Sequence, residues 1–246
     1  MQIVTPEGFP AELWHEILDA APSMRPAELA VPAGASLLVL GAHPDDETIG
    51  CGRLIAHWAK QIGPVTVVSL SAGEACLDHL DIRIPHLAAI RRAELRAAGE
   101  FLAVDRTECC GLPDGDLVNA LPAVQEKLIR LISSVAVVAA PWQHDPHPDH
   151  AAIGAAAAAG CRLTGRKLLE YPIWTTYWQR PSVLAQHDYR VIVVDTDPAD
   201  DAARRRALAC YRSQQEPLRA DLSPVVPAAM LEHHQQQLIL LPGGHR

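Results

Sequence analysis

No two of the six cysteines, Cys51, Cys76, Cys109, Cys110, Cys161 and Cys210, stand at C-x-x-C spacing, and they form no regular framework. A thiolate zinc ribbon and a disulfide scaffold are thereby excluded. The cysteines read instead as small buried apolar residues in a reducing compartment. Basic blocks are also missing. With 29 acidic against 21 basic side chains and a net charge of −8, the chain does not suit a phosphate backbone. The one basic triplet, Arg204-Arg205-Arg206, reads as the solvated face of a helix. No apolar run reaches the roughly 20 residues of a membrane span. Met1 to Pro10 lack the basic start and apolar centre of a secretory leader. The expectation is a cytoplasmic protein with no nucleic-acid partner and no membrane insertion, its oligomeric state open. Linkers and internal repeats are absent too, so one domain over residues 1–246 is the simplest organisation, with a core from about 35 to 214 and both ends packed on it.

What is present is an alternation of strand-like and helix-like segments. Apolar runs at Ala35–Gly41, Val65–Leu70, Glu108–Gly111 and Val135–Ala140 read as strands, with further strands near Lys167–Trp174 and Tyr189–Asp195. Between them, helices are predicted over Glu47–Gln61, Pro85–Leu102, Asn119 to Ser133 or Ser134 with Asn119 near the N-cap, Ala151–Arg162 and Pro198–Gln214. A short amphipathic segment at Ala11–Ala20 precedes the core, and Val225–Leu241 has no clear pattern. Such alternation predicts an α/β fold with a mainly parallel sheet.

Two polar clusters follow two of these strands. Ala42-His43-Pro44-Asp45-Asp46-Glu47 comes after the first, and His144-Asp145-Pro146-His147-Pro148-Asp149-His150 after the fourth. Parallel strands deliver their following loops to one edge of the sheet, so the clusters are expected to meet there. Together they would offer His43, Asp46 and one of His147 or His150 to a single ion, two imidazoles and a carboxylate with an open position, as in a catalytic zinc site. Asp45 need not ligate. A carboxylate beside a metal-bound water is the natural general base. His147 would face the same site to stabilise an oxyanion or protonate a leaving amine, with Asp145 and Asp149 orienting it and raising its pKa. Either turn alone would serve equally as a helix cap.

The two clusters resemble the paired signature of the GlcNAc-PI de-N-acetylase family, also called PIG-L or LmbE-like deacetylases. Ser71-Ala72-Gly73-Glu74, Arg91-Arg92-Ala93-Glu94, Leu112-Pro113-Asp114-Gly115 and Arg212-Ser213-Gln214 add weaker matches, in order, from about Leu37 to Gln214. The resemblance implies a Rossmann-like three-layer fold and zinc-dependent hydrolysis of an N-acetyl group on an amino sugar, with Fe2+ the alternative ion. It implies His43, Asp46 and His150 as metal ligands, Asp45 as general base and His147 as oxyanion stabiliser or acid. Arg91 and Asp114 fall where family members contact the sugar, although Arg91 would equally pair with Glu94 and Asp114 would equally make a turn. Some members carry Tyr where this chain has Asp145; an acidic residue there would favour a cationic substrate or tune His147.

The expected function is therefore a metal-dependent N-deacetylase acting on a small N-acetylated sugar-type substrate. Its rivals are an amidase for a bulkier acyl group and a metal-binding protein without turnover. A nucleotide-binding reading lacks its G-x-G-x-x-G turn. Among the other histidines, His57 falls at core-like spacing, His79 and His86 lie in a loop positioned to cover the site, and His233-His234 read as exposed. Trp142, Trp174 and Trp178 flank the loops at the strand ends, as sugar-stacking or core residues.

Overall fold

A computed structural model describes residues 7–29 and 31–243. The leader reading therefore falls partly on residues 1–6, outside the described residues. The helices are α1 (His15–Ala20), α2 (Asp46–Gln61), α3 (Leu87–Phe101), α4 (Leu117–Ala120), α5 (Gln125–Ser133), α6 (Pro148–Thr164), α7 (Thr175–Trp178), α8 (Pro198–Leu208), α9 (Arg212–Gln215) and α10 (Ala228–Glu232). The strands are β1 (Ser23–Met24), β2 (Leu37–Gly41), β3 (Val65–Ser71), β4 (Arg106–Leu112), β5 (Val137–Pro141), β6 (Lys167–Tyr171), β7 (Tyr189–Val194) and β8 (Leu238–Pro242).

Among the described residues the strands form one eight-stranded sheet in the order β1-β7-β8-β6-β5-β2-β3-β4. Helices cover both of its faces, and this is why β2 is apolar along its whole length rather than in alternation. Leu37 and Val39 point into a core shared with Ile55 and Trp58 of α2 and Ala207 of α8. Leu38 and Leu40 point the other way, onto Ile132 of α5 and Ile153 and Ala157 of α6. The fold is thus a three-layer, Rossmann-like α/β sandwich.

The strand order reverses between β2 and β5. They are hydrogen-bonded neighbours, parallel and in register (Leu37 opposite Val137, Val39 opposite Ala139). From β2 the chain winds outward to β3 and β4, and from β5 in the opposite direction to β6. A crevice opens at such a reversal because the two following helices diverge. Both polar clusters sit at this point.

The structure corrects several expectations. The helix predicted from Asn119 begins earlier, at Leu117, and is broken by a 3-10 turn, Leu121–Val124, containing Pro122. The helix predicted to start at Ala151 starts at Pro148, so the end of the second cluster, Pro148-Asp149-His150, lies in the first turn of α6. Pro198–Gln214 divides into α8 and α9. The unassigned tail supplies α10 and β8, and β8 runs antiparallel between β6 and β7. His233 and His234 are buried rather than exposed, each facing a backbone carbonyl, of Phe9 (3.0 Å) and Ile173 (2.9 Å) respectively. Arg204 also departs from its solvated triplet; it is buried and donates to the Thr48 carbonyl. Among the described residues no helix is long and apolar enough to cross a membrane.

Candidate active site

The chain leaves β2 at Gly41 and turns through His43 to Asp45, the residue before α2. Asp45 has φ 129°, a conformation that L residues rarely adopt, and its side chain makes no capping bond. The cap reading of this turn thus holds for position and not for chemistry. The Asp46 carboxylate folds back instead: Oδ2 accepts the N–H groups of Ala42 (2.8 Å) and His43 (2.9 Å). That leaves Oδ1 to face the second cluster, 3.1 Å from Nε2 of His150.

His150 stands on the first turn of α6, close to the sheet because Gly154 packs on it. A Cβ on Gly154 would lie 2.4 Å from the Pro141 carbonyl oxygen. The gap-facing atoms are Nδ1 of His43, Asp46 and Nε2 of His150; all lie within 4.8 Å of one another, with the two nitrogens 3.2 Å apart. Ligands about 2.0–2.1 Å from a tetrahedral cation stand roughly 3.3 Å apart, which matches this spacing.

The remote nitrogen of each imidazole is held by carboxylates. Nε2 of His43 lies 2.9 Å from Asp114 and 3.4 Å from Asp149, and Nδ1 of His150 lies 3.1 Å from Asp145. Such partners fix the ring and make it a stronger ligand. Against the lowering effect of burial, Asp114, Asp149 and Asp46 raise the His43 pKa to about 9. Asp46 and Asp145 likewise outweigh burial at His150 and raise it to about 10. Both rings are thus drawn toward the charged state, yet two N–H groups cannot face each other at 3.2 Å. A cation between them removes the conflict. The donor set, two imidazoles and a carboxylate, fits a borderline divalent ion such as zinc.

Asp45 sits beside this set. Burial raises its pKa, Arg91 opposes the rise, and Asp46 adds to it, giving about 7. Arg91 is buried: its terminal nitrogens donate to the carbonyls of Gly73 (2.7 Å) and Pro44 (2.8 Å), and one lies 3.4 Å from Oδ2 of Asp45. The alternative pairing with Glu94 does not form, because Glu94 accepts the N–H and hydroxyl of Ser213 instead. Asp114 accepts the Ala75 N–H at 2.7 Å besides facing His43, which keeps its pKa down at about 2 despite burial. The weaker motifs therefore form one connected support around the turn at Asp45.

The second cluster differs from expectation in its electrostatics. Burial, followed by the charges of His150 and His43, lowers the His147 pKa to about 3; Asp145 acts to raise it, in the expected direction, but is outweighed. Asp145 is turned away: Oδ2 accepts from the backbone of Ile173, Trp174 and Thr175 and from the Thr175 hydroxyl, so no cationic substrate meets it. Asp149 accepts from Gly115 and Leu117. Its own N–H donates to Nδ1 of His147 (3.3 Å), which puts the proton of the neutral ring on Nε2.

These groups open into a cavity of about 260 Å³. His43, Asp45, Asp46, Arg91, Asp114 and His147 are among its polar lining residues. Ile49, Ile173, Trp174, Trp178, Val226 and Met230 supply apolar lining, none of them assigned from sequence apart from the two tryptophans. His79 reaches the cavity and His86 does not. Trp142 is a core residue beside Trp14 and Leu240, and His57 is buried 3.0 Å from Asp200.

Residues 38–161, half of the chain, match the family PIG-L: GlcNAc-PI de-N-acetylase. The chain belongs to this family. It is similar to a 1D-myo-inositol 2-acetamido-2-deoxy-alpha-D-glucopyranoside deacetylase of Mycolicibacterium gilvum, 29% identical over 145 residues covering 46% of this chain and 50% of the relative. It is also similar to the probable N-acetyl-alpha-D-glucosaminyl L-malate deacetylase 2 of Bacillus subtilis, 28% identical over 76% of this chain and 86% of the relative. The chain spans 23% to 50% of the length of the inositol-type relatives it matches. A crystal structure of a conserved protein from Thermus thermophilus superposes with a TM-score of 0.55 and 28% identity, over 73% of this chain and 80% of that one. Family membership places the His-Pro-Asp-Asp turn and the His-Pro-Asp-His helix start within the matched region. The remaining parts of the site, from Trp174 to Met230, lie outside it.

Proposed function

We propose that the chain is a metal-dependent hydrolase that removes the N-acetyl group from an N-acetylated amino sugar or a sugar-containing metabolite. The observation that carries this reading is a convergent His43–Asp46–His150 donor set beside a buried carboxylate, Asp45, whose pKa is raised to about 7. The family and the deacetylase activities named for the relatives support it.

His43, Asp46 and His150 would hold the ion, zinc first and iron(II) as the alternative. When bound, a divalent cation supplies Lewis acidity, polarising an acyl oxygen and lowering the pKa of a water to about 7. Asp45 takes the proton of the attacking water, and its position near neutrality lets it both accept that proton and return it to the departing amine. Arg91 limits the rise in the Asp45 pKa and so keeps a useful fraction ionised. His147, neutral and carrying its proton on Nε2, donates a hydrogen bond to the developing oxyanion. With its pKa lowered to about 3 the ring carries no imidazolium proton to give near neutral pH, so the amine proton falls to Asp45. Arg91 and Asp114 serve the substrate chiefly through Asp45 and His43, the groups they hold. The free cysteines fit a reducing, cytoplasmic setting.

The test is metal analysis of the purified protein together with a screen of N-acetyl sugars for free amine. Stoichiometric divalent metal and amine release are expected. Absence of both would remove the reading.

A further inference from the structure

The cavity has an apolar part of its lining that a wholly polar substrate does not explain. Three of the charged side chains that line it are engaged with their neighbours. The Asp114 carboxylate meets His43 and the Ala75 N–H, Arg91 meets two carbonyls and Asp45, and Asp46 meets two backbone N–H groups and His150. Arg91 Nε and Gln214 Oε1 are buried in the lining without a partner and can meet sugar hydroxyls; a hydroxyl placed against the apolar part of the lining would be buried without one, which costs binding.

Much of the remaining lining is apolar. Ile49, Ile173, Trp174, Val226 and Met230 all belong to the main hydrophobic core, and Trp178 stacks on Trp174 at 4.3 Å between ring centres with 14° between planes. It begins at the reacting centre, not at the rim. Ile49 follows Asp46 by one helical turn of α2. The N–H groups of Ile173 and Trp174 bind the same Asp145 carboxylate that holds His150. A ligand whose amide lies at the donor set must therefore place a neighbouring group against aliphatic and indole surface.

We propose that this cavity takes an N-acyl amino sugar extended by an apolar group, either an acyl chain longer than acetyl or an alkyl or aryl aglycone, lying on the face made by Ile49, Ile173, Trp174, Trp178, Val226 and Met230. This rests on the hydrolase reading above and narrows its substrate class. Apolar burial in such a site strengthens binding roughly 2- to 4-fold for each added methylene. Because the face adjoins the amide, part of that gain appears in kcat/KM.

The experiment uses the full chain loaded with zinc and two substrate series. One lengthens the acyl group of glucosamine from acetyl through butanoyl and hexanoyl to octanoyl. The other keeps N-acetylglucosamine and changes the aglycone from hydroxyl through methyl to hexyl and phenyl. Free-amine release gives kcat/KM, and quenching of tryptophan fluorescence gives binding independently. A rise in kcat/KM along either series supports the proposal and identifies which end carries the apolar group. Trp178→Gln, the least buried change on the face, is expected to flatten that rise. Hydrolysis of N-acetylglucosamine with flat series overturns the apolar face and leaves the hydrolase reading standing. No amine from any compound overturns the hydrolase reading, and the fluorescence series still decides the apolar face: tighter binding with chain length supports it, and flat binding overturns it.

Discussion

Glu47 accepts the backbone N–H of Asp45 at 3.2 Å, two residues back along its own chain, and with its other oxygen takes the hydroxyls of Thr48 and Tyr211. Asp45 needs this support, since a non-glycine residue at φ 129° carries about 1–3 kcal/mol of backbone strain. Arg91 holds the same turn from the other side through the Pro44 carbonyl and the Asp45 carboxylate. The proposed base is thus presented by a strained turn clamped by two buried groups.

Tyr211→Phe removes one donor from the buried Glu47 carboxylate. The expected loss is about 1–3 kcal/mol of stability, read as a lower Tm in thermal unfolding. An unchanged Tm would show that the clamp contributes nothing to the fold.

Asp45→Asn keeps the shape of the turn and removes the proton acceptor. Amine release should drop by about 10²- to 10⁴-fold while bound metal, measured by elemental analysis, stays at the wild-type level. Near wild-type turnover would reassign the base.

Asp145→Asn weakens the partner of the distal nitrogen of His150 without touching the donor set. Metal affinity, measured by competition with a chelator, should fall by about 10- to 100-fold. An affinity equal to wild type would mean that His150 is oriented by packing alone.

Metal affinity should climb with pH. The pKa raised to about 9 at His43 and about 10 at His150 means that the ion must displace a proton held between these rings. That competition weakens as pH rises and ends as pH passes through about 9 to 10, so affinity increases up to that range and calorimetry in buffers of different ionisation enthalpy should register proton release below it. Affinity independent of pH would contradict the proton competition.

Much of this was legible in the linear chain. Apolar runs marked the parallel strands because strands buried on both faces carry no alternation. The His43-to-Glu47 and His147-to-His150 clusters stood out because dense ionisable residues after a buried strand are costly unless they serve a site. The failures have equally physical causes. Leu238-Ile239-Leu240-Leu241 is a short apolar run, but its place as an antiparallel strand comes from partners far away in sequence. His233 and His234 carry no signal of burial, because their partners are backbone carbonyls of distant segments. The direction of the His147 shift was set by burial, then by the charges of His150 and His43, which together outweigh its acidic neighbour Asp145.

The turn of His43, Pro44, Asp45 and Asp46 is a local property of the chain, written in adjacent residues at the end of a strand. Sequence alone determined which side chains could bind a cation and which could move a proton. Only the tertiary structure decided that β2 and β5 lie side by side, that His150 rather than His147 faces Asp46, and that Asp45 is dry enough to approach neutrality. It alone brought apolar residues from Ile49 to Met230 into the same cavity. Those outcomes depend on burial and on distances between residues about a hundred positions apart, such as His43 and His150, and a linear pattern encodes neither.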